Sequence, residues 1–161
     1  MSAGNSSTEA MVSRDMSVLA PRFAEAVRKA IEECNRQGLD AYVYEGYRSA
    51  ALQAIYYARG RTVIPPPYTV TNARTNLKSW HGYGLAVDVI SRSKRWNQPA
   101  SWFRQVAAIF KSHGLKWGGD WSRPDLPHFQ WGRCKPSPSD RAREIYASSG
   151  MKGVWAEVGA D

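Results

Sequence analysis

The sequence predicts an α+β fold: a single domain over residues 1–161, with a small, mainly antiparallel sheet flanked by helices. Three observations predict it. Helical and alternating apolar patterns take turns along the chain, in the order helix, strand, helix, strands, helix, strands, helix. No internal repeat, linker or low-complexity block interrupts them. The length of 161 residues, with 43% apolar residues and seven tryptophans, is enough for one real core and argues against disorder.

Residues 1–12 read as a flexible leader, small and polar at first. Pro21 suits the first position of a helix. Phe23, Ala26, Val27, Ala30, Ile31 and Cys34 then recur at helical spacing, and Gly38 is a natural stop. Leu39 to Tyr44 alternates and is rich in β-formers, so it reads as a strand. Ser49 can cap a helix from Ala50 to Ala58. Arg61 to Lys78 holds three consecutive prolines and no clear period. It reads as a long functional loop with a short strand at Tyr68 to Thr71. Leu85 to Ile90 reads as a buried strand, and Ser101 to His113 as a second amphipathic helix ended by Gly114. Short strands follow at Leu115 to Trp117 and His128 to Trp131. Ser139 caps a last helix, and Gly150 separates that helix from a terminal segment around Trp155.

Composition narrows the function. No apolar run approaches a membrane span, and the first residues lack the charged start and apolar stretch of a secretory signal. The formal net charge of +8 favours a polyanionic partner: nucleic acid, anionic lipid or an acidic wall polymer. No helix-turn-helix, finger or single-strand platform is recognisable, so nucleic acid is not the expected one. Cys34 and Cys134 are too few and too far apart for a thiolate zinc knuckle, and they read as reduced, partly buried thiols.

The chemistry concentrates around Ser79 to Ile90. His81 lies in a glycine-punctuated turn. Asp88 sits between two valines in a strand, where a carboxylate is costly unless a cation meets it. Catalytic zinc commonly takes three protein ligands and leaves a position for water. His81, Asp88 and His128 would fill that role, although the same spacing suits ordinary hydrogen-bonded polar residues. Asp125 stands three residues before His128, near enough to act as a base toward water without being a ligand. Arg48, between a strand and a helix, could hold a substrate carbonyl and stabilise an oxyanion. His113 ends a helix and reads as structural.

Ser79-x-His81-x-x-Gly84-x-Ala86-x-Asp88, followed by Asp125-x-x-His128-Phe129-x-Trp131, resembles the signature of zinc peptidases that cut peptidoglycan peptides. These are the D-alanyl-D-alanine carboxypeptidases, the vancomycin-resistance dipeptidases and the L-alanyl-D-glutamate endopeptidases of phage lysins. Gly46-Tyr47-Arg48-Ser49 with Gln53 matches the family's arginine motif, and Trp117 to Trp121 resembles the endopeptidase branch. The resemblance implies a Hedgehog/DD-peptidase-like fold with one zinc ion on His81, Asp88 and His128. It implies Asp125 as general acid/base, where several members carry glutamate, and Arg48 as the group that binds and polarises substrate. Ser79 and Asp120 are candidate substrate contacts, and Gln53 supports the arginine loop. The implied activity is endopeptidase cleavage of the L-alanyl-D-glutamate bond of stem peptides, causing lysis. The alternatives are a carboxypeptidase or dipeptidase on the same site, or a zinc-bearing binding module. By analogy with single-domain phage lysins, the protein is expected to be a monomer without a separate wall-binding domain. It would accumulate in the host cytoplasm and reach the periplasm after holin release, its charge favouring anionic wall or outer-membrane surfaces.

Overall fold

The computed structural model describes residues 6–161. Ser6–Glu9 forms a helical turn (α1). It is followed by α2 (Pro21–Arg36), β1 (Ala41–Glu45), α3 (Ala50–Ala58), β2 (Ala86–Ser91), α4 (Ala100–Ser112), β3 (Leu115–Trp117), β4 (His128–Trp131) and α5 (Asp140–Glu157). The four strands make one antiparallel sheet in the order β1-β2-β4-β3. This is the α+β architecture that the periodicities predict. Among the described residues, no helix is long and apolar enough to cross a membrane.

The pleat sorts the sheet into a packing face and a chemical face. Val87, Val89 and Phe129 point into the core that α2 and α4 cover, and Phe110 of α4 lies 4.2 Å from Phe129, ring centre to ring centre. Asp88, His128 and Gln130, on the alternate positions, line a cleft on the other face. The amphipathic face of α2 buries Phe23, Val27, Ala30 and Cys34, as its spacing predicts. Cys34 and Cys134 are both buried and unpaired, and burial pushes each thiol up to about 12.

Two expectations change. The first five residues of the predicted leader lie outside the described residues. Its second half is packed: Thr8 is buried, and Glu9 accepts a hydrogen bond from the Tyr44 hydroxyl. The polar composition concealed these side-chain partners. Tyr68 to Thr71 forms no strand. Pro65, Pro66 and Pro67 lack donors, and side chains instead hold that loop: Arg61 donates to the Thr71 carbonyl at 3.0 Å and Gln53 to the Ala73 carbonyl at 2.7 Å. Gly150 does separate the helix that Ser139 caps from a terminal segment, itself helical: at φ 68° and ψ −167° its backbone leaves the helical region and kinks α5 there.

The C-terminus braces the turn that carries His81. Trp155 donates its indole N–H to the Tyr83 carbonyl at 2.6 Å, and Trp131 donates to the Val158 carbonyl at 2.7 Å. At the other end, Ala20 N–H bonds the Gly84 carbonyl at 3.0 Å.

Candidate metal centre and cleft

Trp80 to Tyr83 is a single 3₁₀ turn. Ser79 caps it, its hydroxyl accepting from the His81 N–H at 3.3 Å, and Gly84 closes it in the left-handed region at φ 68°. At Gly82 a Cβ would stand 2.0 Å from the Asn76 carbonyl oxygen, so the turn approaches that backbone as only glycine allows. The turn is stitched to the arginine loop twice. Arg48 N–H donates to the His81 carbonyl at 3.0 Å, and His81 Nδ1–H donates to the Gly46 carbonyl at 2.8 Å.

Sheet register supplies the next groups. Glu45, Asp88 and His128 stand directly opposite one another on β1, β2 and β4. The pairing slips between Val43 and Glu45, so a bulge brings Glu45, in place of Tyr44, across from Asp88. Bulges re-aim side chains in this way beside functional sites.

His81 Nε2 lies 3.4 Å and His128 Nδ1 3.9 Å from Asp88 Oδ1. One ligand atom from each of the three residues falls within 4.8 Å of the others, and all three residues are buried. Ligands of a tetrahedral ion at ~2.0–2.1 Å stand roughly 3.3 Å apart, so the spacing fits a single divalent ion. The donor chemistry fits as well. With His81 Nδ1–H committed to Gly46, its Nε2 lone pair faces Asp88. His128 Nε2–H donates to Gln130 Oε1 at 2.8 Å, and the Gln130 amide donates to the Lys135 carbonyl at 2.7 Å, which fixes which end of that amide meets the ring. Both tautomers are thus set by outer partners, the usual arrangement of metal-binding histidines.

Electrostatics agree with that donor set. Burial alone would push the Asp88 carboxyl up; His81, Arg48 and His128 outweigh it and hold the carboxyl well below the usual carboxylate range. Burial, and then the neighbouring His81, push the His128 imidazole down, so it stays neutral with a free lone pair. Arg48 is 5% exposed. Its Nε donates to Glu45 Oε1 at 2.9 Å, its Nη2 is bonded to the same oxygen, and Nη1 donates to Gln53 Oε1 at 2.9 Å. Nη2 also stands 3.6 Å from Asp88 Oδ2. Burial works against its charge, but Glu45 and Asp88 more than compensate, and the guanidinium stays cationic.

His81, Asp88, His128, Arg48, Asp125 and Ser79 all line one cleft of about 780 Å³. Asp125 is half-buried there, its turn fixed by the bond of its N–H to the Gly118 carbonyl at 3.0 Å. Trp121 packs on the His128 ring, centres 4.8 Å apart. Asp120 is the exception. Its side chain is more than half exposed and pairs with Lys111 Nζ at 2.8 Å, away from the cleft wall. The 3₁₀ turn Gly118–Asp120 carries it toward the end of α4, outside the cleft lining.

Sequence reasoning missed Glu45 and Gln130. Both left a signal. Glu45 is a carboxylate in an apolar strand, the same anomaly as Asp88, with Arg48 three residues on to answer it. Gln130 is two residues from His128 on a strand and therefore shares its face.

The chain is similar to known proteins. Residues 72–131 match the family model described as D-alanyl-D-alanine carboxypeptidase. The chain is 33% identical over 132 residues to the peptidoglycan L-alanyl-D-glutamate endopeptidase CwlK of Bacillus subtilis, covering 74% of this chain and 75% of that protein. It is 30% identical over 118 residues to an L-alanyl-D-glutamate peptidase of a Listeria phage, covering 70% of this chain and 38% of that longer protein. The fold is similar to the L-Ala D-Glu endopeptidase ChiX of Serratia marcescens, with TM-score 0.56, 24% identity, and coverage of 76% of this chain and 87% of that one. It is also similar to a vancomycin-resistance D,D-pentapeptidase VanY solved with Zn(II), with TM-score 0.53, 17% identity, and coverage of 83% and 81%.

Proposed function

Because the chain belongs to this family of D-alanyl-D-alanine carboxypeptidases and peptidoglycan L-alanyl-D-glutamate endopeptidases, we propose that it is a zinc-dependent endopeptidase that cleaves the L-alanyl-D-glutamate bond of peptidoglycan stem peptides. The observation that carries this reading is the convergence of His81, Asp88 and His128 with Arg48 and Asp125 on one cleft. The L-alanyl-D-glutamate bond in the names of two relatives, at 33% and 30% identity, supports the choice of bond, and the Zn(II) bound in VanY supports the choice of ion.

His81 Nε2, an Asp88 oxygen and His128 Nδ1 hold the ion. When bound, it supplies Lewis acidity toward a carbonyl and acidifies water. The protein's own groups do the rest. Arg48 faces the cleft with its guanidinium pinned by Glu45 and Gln53, so it meets the negative charge developing on the scissile carbonyl oxygen without reorganising. Asp125 takes the proton of the attacking water and passes it to the leaving amine. Ser79 positions His81 through the helix cap. Lys78 and Arg123 on the cleft wall suit the free carboxylates of an acidic stem peptide. Destruction of the wall by this cleavage would lyse a cell.

The test is product mass analysis on purified peptidoglycan. Asp88→Ala and His128→Ala should lose the metal and all cleavage. Asp125→Ala should keep the metal and release no new peptide ends. Full cleavage by Asp125→Ala would overturn the assignment. Loss of only a terminal D-alanine from the substrate would assign the site instead to carboxypeptidase chemistry, the activity named in the matched family description.

A further inference from the structure

A second hollow, of about 610 Å³, lies beside the edge strand β1 and shares no residue with the cleft. Three arginines from two separate segments gather on it: Arg14, Arg92 and Arg95. They are held against two tyrosines of β1. The Arg14 guanidinium lies 4.8 Å from the Tyr44 ring centre, and Arg92 lies 4.9 Å from that of Tyr42. Arg95 sits 5.6 Å from Tyr44 and 5.8 Å from Tyr42, and its Nη1 donates to the Tyr42 hydroxyl. Stacking of this kind takes away side-chain freedom and orients the fork before any ligand arrives.

The backbone is bent to the same end. Arg95 has φ 57°, and no other non-glycine residue among the described residues is in the left-handed region. Such a residue adopts this conformation only where its surroundings hold it there. The turn that holds it there is closed by Arg95 N–H to the Ser91 carbonyl at 2.8 Å and Ser91 N–H to the Arg95 carbonyl at 3.1 Å, and it folds the arginine back over β1. Charge is left over. Among the described residues, Glu9 is the single carboxylate lining the hollow; it is engaged by the Tyr44 hydroxyl and lies 3.5 Å from Arg14. Arg92 and Arg95 have no carboxylate partner among the described residues. Three guanidiniums against one carboxylate leave two positive charges in one open hollow.

We propose that this hollow is an anion site for the phosphate groups of a polyanionic polymer, separate from the peptidase cleft. Three forks from two segments can meet the four oxygens around each phosphorus, where a carboxylate offers two, and the two surplus charges suit two successive, singly charged phosphates of such a polymer. The site would hold the enzyme on a phosphate-bearing polymer while the cleft works on peptide.

The test is calorimetric titration of the whole protein with short-chain polyphosphate at ~0.15 M salt, where screening over roughly 8 Å removes diffuse attraction. The site variant is Arg92→Gln with Arg95→Asn, since asparagine tolerates a positive φ. A charge-matched control, Lys29→Gln with Lys152→Gln, removes the same charge elsewhere. We expect at least a tenfold loss of polyphosphate affinity in the site variant, a loss under twofold in the control, and unchanged hydrolysis of a soluble stem peptide by both. Arg92→Gln alone, which leaves the strained turn untouched, should still lose threefold or more. Equal losses in the two double variants would overturn the proposal. So would equally tight, arginine-dependent binding of polyglutamate, or binding only to phosphatidylglycerol vesicles. Binding is read without catalysis, so a failure of the peptidase reading would leave this result intact.

Discussion

Gln130→Leu tests how the metal centre is held. Gln130 is 1% exposed, and its two ends bridge His128 Nε2–H at 2.8 Å and the Lys135 carbonyl at 2.7 Å. Leucine keeps most of the volume and removes both bonds. The Lys135 carbonyl still accepts from the Trp80 indole at 2.7 Å, so it keeps a partner. His128 does not, and a buried N–H left unpaired costs about 1–3 kcal/mol. Nothing then selects the tautomer that turns the Nδ1 lone pair toward Asp88. Losing an outer partner of this type typically weakens metal binding about 10–100-fold, or roughly 1.4–2.7 kcal/mol. At fixed free zinc, each tenfold loss removes about 1.4 kcal/mol of metal-linked stability. A chain of 161 residues unfolds with an entropy of roughly 0.34 kcal/mol per kelvin, so that is ~4 °C in the melting temperature of the zinc-loaded protein. Competition with a chromophoric chelator reads the affinity, and thermal melts with and without zinc read the linked stability. Gln130→Glu should recover most of the affinity, because a carboxylate also accepts from the ring N–H. If Gln130→Leu binds zinc within twofold of the parent, the outer shell does not set the tautomer and the reasoning fails.

Two further perturbations follow from buried or hydrogen-bonded carboxylates. Glu45→Gln keeps an acceptor for Arg48 but removes the charge that balances a guanidinium only 5% exposed. Breaking a buried pair costs about 3–5 kcal/mol, and at the low end the melting temperature should fall by ~9 °C for this length, with weaker zinc binding as Arg48 turns to Asp88 at 3.6 Å; a fall under 2 °C in a thermal melt would refute it. The Asp40 carboxyl is held below its ordinary value by hydrogen bonds from Ser93 and Ser91. A depressed carboxyl stabilises the fold above its unfolded pKa of about 3.9, and that contribution is lost as pH falls through the folded value. Asp40→Asn should therefore melt below the parent at pH 7 and match it near pH 2; a gap that persists at pH 2 would mean the effect is steric.

The elements were legible because their patterns are local. The apolar face of α2, the Ser49 cap of α3 and the alternation through β2 each follow from a few adjacent residues. The grouping of His81, Asp88 and His128, with Asp125 on the same cleft, was legible because a buried carboxylate and histidines beside strands are rare enough to need a reason. What local pattern does not show depends on distant partners. Asp120, read as a candidate substrate contact, is paired with Lys111 on another element. Thr8 and Glu9 looked like leader until Arg59 and Tyr44 met them, with Arg59 Nη2 donating to Thr8 at 2.9 Å. Glu45 required knowledge of the bulge, which no local pattern announces.

That bulge explains why an arginine is built into the site. Without it Tyr44 would stand opposite Asp88; with it two carboxylates face each other across adjacent strands. Like charges directly opposite are destabilising, and these two are buried. Arg48 reaches both, bonded to Glu45 and 3.6 Å from Asp88. Two carboxylates against one guanidinium leave one negative charge in the pocket, and neutral histidines add nothing to it. A bound divalent ion would overbalance it and make the pocket positive by one charge, the sign that favours negative charge on a substrate oxygen. Register holds this balance in place: a one-residue slip of β2 would send Asp88 into the apolar core and Val87 or Val89 into the cleft. The valines that flank Asp88 therefore anchor the carboxylate, because their burial fixes which face it occupies.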